Sequence, residues 1–153
     1  MRRINPEYVK AIVEIGNDCP YFKLLSMSIE SIGEGSSELV IDLEEKHLQP
    51  FGMAHGGVFS SLIDAAAFWA VFAELEEDKG LTTLEMKLNY LAPVQKGRIV
   101  GKGRRIKMGS TTGLAEATIT DENGRLLSHG TVTLLLIPHW EYGAGKITVP
   151  KYI

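Results

Sequence analysis

HLQPFGMAHGGVFSSLIDAAAFWAVF, running from His47 to Phe72, is the stretch that decides the fold. From Gly56 to Ala73 its only charged residue is Asp64, set in a run of apolar and small side chains. A helix that is apolar on most of its sides belongs inside a protein. The longest apolar part, Val58 to Ala73, is broken by Ser60, Ser61 and Asp64 and falls short of the ~20 residues that a membrane span needs. The stretch therefore predicts one long buried helix, and a carboxylate in such a helix is costly unless something uses it.

On both sides of this helix the hydrophobic period is two, the signature of half-buried strands. Leu25, Met27 and Ile29 alternate with Ser26, Ser28 and Glu30. Leu39, Ile41 and Leu43 alternate with Glu38, Val40 and Asp42, and Gly33-Glu34-Gly35-Ser36 between the two runs reads as a hairpin turn. Beyond the helix, Leu84, Met86, Leu88 and Tyr90 alternate with Glu85, Lys87 and Asn89. Further strands are predicted over Arg98 to Met108, Leu114 to Thr120 and Leu126 to Ile137, with an Asn123-Gly124 hairpin signal before the last. Asn5-Pro6-Glu7 opens a short amphipathic helix over about 6–16 that Gly16-Asn17 can stop. Dominant hairpins imply an antiparallel sheet, and one strongly apolar helix among about six strands implies a sheet curled around it, an α+β fold.

Composition agrees with a single domain over 1–153. The 153 residues are 44% hydrophobic, enough for a core, and the net charge of −3 argues against a dedicated nucleic-acid binder. Cys19 is the only cysteine, which excludes a disulfide framework and fits a reducing cytoplasm. The N-terminus has no apolar segment of the signal-peptide kind, and the expectation is a soluble, intracellular protein. The tail, 138–153, has no clear period; an edge strand, a cover on the sheet and a contact with a neighbouring subunit are all open to it.

The helix carries the chemistry. Gly56-Gly57 stands at its start, where backbone N–H groups lack internal partners and the dipole is positive. Such groups can stabilise a carbonyl oxygen that becomes negative during attack, although a tight turn or close packing explains the glycines equally well. Asp64 lies seven residues past Gly57, nearly two turns, so both share a face but stand ~10 Å apart along the axis. An oxyanion donor and a base that serve one carbonyl carbon must both reach adjacent atoms. If both residues are catalytic, the spacing favours a two-fold dimer with shared sites. Burial of Asp64 among Ala, Phe and Trp is expected to raise its pKa, as suits a general base. The alternative is a buried acid satisfied by Ser60 or Ser61.

Gln49-Pro50-Phe51-Gly52-Met53-Ala54-His55-Gly56-Gly57, followed by Asp64 nine residues after the histidine, resembles the hot-dog fold thioesterases of the phenylacetic-acid-degradation type, within the 4-hydroxybenzoyl-CoA thioesterase-like superfamily. Tyr90-Leu91-Ala92-Pro93 matches their Tyr-x-x-Pro strand end, and the resemblance covers about 21–137. It implies a sheet wrapped around one helix, homodimers with two shared sites, often dimers of dimers, and hydrolysis of acyl-CoA thioesters without metal or cofactor. By position, the Gly57 N–H would polarise the thioester carbonyl with Gln49 assisting. Asp64 of the partner chain would activate water or attack directly to give an anhydride. His55 would shape the loop and helix start. Thr83, with Thr82 as rival, would stand beside the catalytic water, although Thr83 shares parity with the polar Glu85 and Lys87, as an ordinary strand residue does.

Lys96, Arg98, Lys102, Arg104, Arg105 and Lys107 form a basic run with no acid between them. Such a run is usually a solvated strand face. Beside the resemblance it becomes a candidate for the phosphates of coenzyme A, with Arg104, Arg105, Lys107, Ser110 and Thr111 as the residues to watch. Phe59, Phe68, Trp69 and Phe72 are candidates both for the acyl pocket and for the core. There is no HExxH pair, no GxSxG elbow and no dinucleotide glycine fingerprint. Two other functions compete: a non-catalytic acyl-CoA-binding hot-dog module, which would not need the pairing of Asp64 with Gly57, and a hot-dog dehydratase, which would want a catalytic His paired with a carboxylate in another pattern.

Overall fold

The computed structural model describes residues 2–140 and 147–153. Helix α1 (Pro6–Asn17) starts as its sequence directs: the Asn5 side chain accepts from the Glu7 N–H at 3.0 Å and Pro6 occupies the first turn. A second helix, α2 (Pro20–Leu25), was not expected. Pro20 stands at its first turn, and Ser26 closes it in the left-handed conformation, φ 52°. Leu25 therefore ends a helix, and the alternation of the first strand begins at Met27. A stretch this short fits both hydrophobic periods, which is why the sequence misassigns it.

The strands are β1 (Met27–Gly33), β2 (Ser36–Asp42), β3 (Gly80–Tyr90), β4 (Arg98–Met108), β5 (Thr112–Thr120) and β6 (Leu126–Ile137), with α3 (Gly56–Phe72) between β2 and β3. They form one sheet in the order β1-β2-β4-β5-β6-β3, and every neighbouring pair is antiparallel. This is the expected α+β arrangement of a six-stranded antiparallel sheet around one long helix.

A row of small residues seats that helix. Ser37, Gly103, Ala117 and Gly130 stand directly opposite one another across β2, β4, β5 and β6. A Cβ on Gly103 would lie 2.0 Å from the Ala66 carbonyl oxygen of α3, and one on Gly101 would lie 2.7 Å from the Leu62 side chain. The buried Ser37 hydroxyl donates to the same Ala66 carbonyl at 2.5 Å. Around this contact Leu62, Ile63, Ala66 and Val71 from the helix, Leu39 and Ile41 from β2, and Ile119 and Leu134 from β5 and β6 are fully buried. The opposite face of α3, through Ser61, Asp64, Phe68 and Trp69, is only partly covered.

Of the tail, 141–146 lies outside the described residues. The part from 147 to 153 folds back on the N-terminus: Asn5 N–H donates to Lys151 O at 2.8 Å, and Arg3 and Ile153 exchange backbone bonds of 3.2 and 3.0 Å. Lys151 is 1% exposed. Its ammonium donates to Leu75 O beyond the end of α3, where a cation suits the dipole, and lies 5.4 Å from the Tyr8 ring centre. Burial pushes the Lys151 ammonium down from 10.5 to about 8, against the pull of Glu77, Glu76 and Glu74.

Two outcomes are expected. Gly103→Ala drives a methyl into helix backbone that cannot yield, and should cost about 3 kcal/mol or more, read as a fall in urea midpoint. Between about pH 8 and pH 10 the unfolded chain holds the Lys151 proton that the folded chain has released, so this residue's contribution to stability rises with pH. The difference in unfolding free energy between wild type and Lys151→Met should therefore grow in favour of wild type by roughly 2 kcal/mol from pH 7 to pH 10 in denaturant titrations.

Candidate active site

The loop leading into α3 is held by a buried histidine. His47 Nδ1 accepts from the Glu44 N–H at 2.8 Å, so Nε2 carries the proton and donates to Leu25 O at 2.6 Å. This ties the loop to α2 and occupies both ring nitrogens. A tight reversal follows: Leu48 bridges to Ala54, Gln49 N–H donates to Met53 O at 2.7 Å, and Gly52 adopts φ 83°. Within it the Gln49 Oε1 accepts from the Phe51 N–H at 2.5 Å. Only the oxygen end of the amide can do that, so its NH2 group is left to donate elsewhere.

His55 caps α3. Its Nδ1 accepts from the Gly57 N–H at 2.8 Å, which occupies the amide that the seven-residue spacing singles out. The Gly56 N–H, one residue earlier, has no partner among the described residues. Gly56 borders a cavity of about 360 Å³ that also holds Gln49, Phe59, Tyr90 and Pro93. A Cβ on Gly56 would stand 3.2 Å from the Tyr90 ring, so glycine here lets the aromatic ring lie against the first turn of the helix.

Asp64 opens into a different cavity, of about 370 Å³, with Tyr21, Phe22, Ser61, Phe68, Trp69 and Met86 in its wall. The carboxylate is partly exposed rather than sealed among apolar groups. Its Oδ1 accepts from the Thr83 hydroxyl at 2.6 Å, and Oδ2 has no partner among the described residues. Ser60 and Ser61 do not satisfy it; both hydroxyls donate to the Gly57 carbonyl, at 3.0 and 2.8 Å. Thr83 reaches Asp64 because β3 carries a bulge between Thr83 and Glu85. Thr83 pairs with the buried Leu134 and Met86 with the buried Val132, so Leu84 is the extra residue and the inward parity changes there. A strict period of two places Thr83 with Glu85 and misses this.

The two cavities belong to one helix. Gly56 and Asp64 are eight residues apart, ~12 Å along the axis.

The basic run looks different in three dimensions. Arg104 ion-pairs with Glu116, and Arg105 pairs with Glu74 at 2.6 Å. Arg98 grips Asp42 through two bonds of 2.7 and 2.9 Å. Hydrogen bonds from His129 and then Arg104 hold the Glu116 carboxyl below its ordinary range, while burial pushes that of Glu74 up despite Arg105. The acids come from neighbouring strands and from the segment after α3, out of view of a one-dimensional reading. The Lys107, Ser110 and Thr111 side chains are exposed, with no bond among the described residues.

The antiparallel sheet curled around one seated helix is the hot-dog fold. The chain belongs to the thioesterase superfamily, matching that family's model over residues 51–128, and by that membership is a thioester hydrolase. A 1,4-dihydroxy-2-naphthoyl-CoA hydrolase of Listeria monocytogenes is 33% identical over 110 residues, covering 72% of this chain and 89% of the relative. The Escherichia coli protein of that name is 27% identical over 136 residues, covering 89% and 97%. Among solved structures, a thioesterase from Haemophilus influenzae superposes with a TM-score of 0.80 at 25% identity, over 88% of this chain and 94% of that one.

Thr83→Val removes the one hydrogen bond that the Asp64 side chain makes among the described residues, at an exposed position. It is expected to lower thioester turnover about 10- to 100-fold, as loss of a bond to a charged group does, with little change in urea midpoint.

Proposed function

We propose that this chain hydrolyses acyl-CoA thioesters at sites completed by a second copy of itself. One observation carries the reading: among the described residues the Gly56 amide and one Asp64 oxygen have no partner, and these two residues line separate cavities of the same chain. Each cavity holds half of what thioester hydrolysis needs. The thioester oxygen accepts from the Gly56 N–H and the Gln49 NH2, which stabilise it as it becomes negative. Asp64 of the partner subunit, oriented by its threonine, takes a proton from water as the water attacks. The C–S bond then breaks, the acid is freed and the proton passes to the leaving CoA thiolate. In the alternative route Asp64 attacks the carbonyl itself, and the C–S bond breaks to release CoA thiolate and leave a mixed anhydride. A water then hydrolyses the anhydride, freeing the acid and Asp64 and supplying the thiol's proton. In this scheme His55 orders the helix start, and Gly57 serves it by donating to the His55 ring.

The surface supports a partner. Among the described residues β3 has only β6 beside it, which leaves its outer edge without a strand, with Leu84 60% exposed and Tyr90 59% exposed. The partly covered face of α3 adjoins that edge through the Asp64–Thr83 bond. A two-fold pairing that covers both would bring the N-terminus of one α3 toward the Asp64 of the other, and a dimer of dimers accords with the family resemblance. Phe22, Phe68 and Trp69 give the Asp64 cavity flat apolar walls that suit an aromatic acyl group, in keeping with the substrates named for the two relatives. Lys107, Ser110 and Thr111 remain the candidates for CoA phosphate contacts, with Arg104 and Arg105 already internally paired. An unpaired Cys19 accords with a cytoplasmic location. A non-catalytic acyl-CoA-binding module has no use for a threonine that orients the carboxylate.

The test is release of free thiol from a panel of acyl-CoAs. Asp64→Asn should lower it at least 100-fold. Mixing Asp64→Asn chains with Gln49→Ala chains should restore about a quarter of wild-type activity, because random exchange makes half the dimers hybrid and each hybrid has one intact site. Full activity in Asp64→Asn, or no recovery in demonstrated hybrids, would overturn the mechanism or the sharing respectively.

A further inference from the structure

The Asp64 cavity contains one group that thioester hydrolysis does not use. Tyr21 comes from α2, outside the region matched by the family model, and its hydroxyl lies 2.6 Å from the Ser61 hydroxyl at the cavity wall. The direction of that bond follows from counting hydrogens. Ser61 has one hydroxyl hydrogen and donates it to the Gly57 carbonyl at 2.8 Å, so towards Tyr21 it can only accept. Tyr21 is therefore the donor, its single hydrogen is committed, and its oxygen keeps a lone pair for a ligand. Ser60, in the same cavity, likewise donates to the Gly57 carbonyl at 3.0 Å. The three hydroxyls of this wall, Tyr21, Ser60 and Ser61, are thus acceptors without a spare hydrogen towards a ligand; the indole N–H of Trp69 is the donor among the rings and thioethers of Phe22, Met27, Phe68 and Met86.

We propose that Tyr21, held in place by Ser61, is a specificity-determining residue that accepts a hydrogen bond from a hydroxyl on the far part of the acyl group. The inference rests on the acyl group occupying the Asp64 cavity, as the proposed function has it. The scale fits a ring: Ser61 precedes Asp64 by three residues, ~4.5 Å along the axis, so a group bonded near Asp64 reaches Tyr21 with about one aromatic ring between. A carbonyl or ether at the Tyr21 oxygen meets acceptor against acceptor, and an unsubstituted ring adds nothing to the bond that Tyr21 already makes to Ser61. His47 supports the arrangement from below, since its bond to Leu25 O ties the end of α2 to the loop that precedes α3.

The experiment measures equilibrium binding of non-hydrolysable thioethers, phenacyl-CoA against its ring-hydroxylated and ring-methoxylated isomers, by calorimetry with the full chain. The best hydroxylated isomer is expected to bind wild type about three- to tenfold more tightly than phenacyl-CoA, with no such gain for the methoxy compound. Tyr21→Phe, and independently Ser61→Ala, should bring that ratio close to one. A ratio that survives both substitutions, or affinities that fall together with the ratio intact, would overturn the role of Tyr21. Hydrolysis of benzoyl-CoA by the same preparations separates this result from the proposed function. Turnover without hydroxyl preference sinks only the Tyr21 inference, hydroxyl preference without turnover sinks only the catalytic reading, and binding of no thioether overturns the Tyr21 inference.

Discussion

The contact on which the rest of the structure depends is the seating of α3 in the row Ser37, Gly103, Ala117 and Gly130. Four strands each contribute a small residue at one level of the sheet, so the helix backbone approaches where ordinary side chains would hold it off. At Gly103 there is no room even for a methyl group. Ser37 then donates to the Ala66 carbonyl, which fixes the rotation as well as the depth of the helix. With that rotation set, Leu62, Ile63 and Ala66 are buried against the sheet, and Ser61, Asp64 and Phe68 are only partly covered. The carboxylate is thereby kept out of the fully buried core and stands at the border of a cavity, bonded to Thr83 of β3.

The same helix acts as a rigid spacer. Its start is ordered by His55, which accepts from Gly57 and leaves the Gly56 amide bare beside Gln49 and Tyr90. Two turns later Asp64 opens on the opposite cavity. Because the rise per residue is invariant, no side-chain motion on one chain closes that gap, which is why the proposed function takes the second half of the site from another copy. The N-terminal segment adds the remaining wall. α2 carries Tyr21 and Phe22 to the Asp64 cavity, and the clasp between the tail and Arg3–Asn5 holds the start of α1 in place.

Much of this was legible in the residues, and where it was not there is a local reason. The long helix, the hairpins and the antiparallel class follow from hydrophobic period and turn chemistry, which are properties of neighbours along the chain. α2 was missed because six residues are too few to separate the two periods. Thr83 was assigned to the polar face because a single bulge at Leu84 reverses parity, and one inserted residue leaves no mark on an alternating pattern. Ser60 and Ser61 stood at the right spacing to satisfy Asp64, but a helical serine finds the carbonyl of its own preceding turn nearer. Arg104 and Arg105 seemed uncompensated only because Glu116 and Glu74 lie far along the chain.

The sequence by itself determined the class of fold, the family resemblance carried by Gln49, His55-Gly56-Gly57 and Asp64, and the seven-residue spacing that sets Gly57 and Asp64 ~10 Å apart along one helix. Those conclusions need only local spacing and the fixed geometry of a helix. The tertiary structure alone decided which glycine amide stays free, which hydroxyl meets Asp64, and that Tyr21 shares its cavity. Each of those depends on strand register or on a hydrogen-bond partner elsewhere in the chain. Ser37, Gly103, Ala117 and Gly130 are unremarkable where they stand in the sequence; only the pairing of four strands aligns them into the trough that holds the helix.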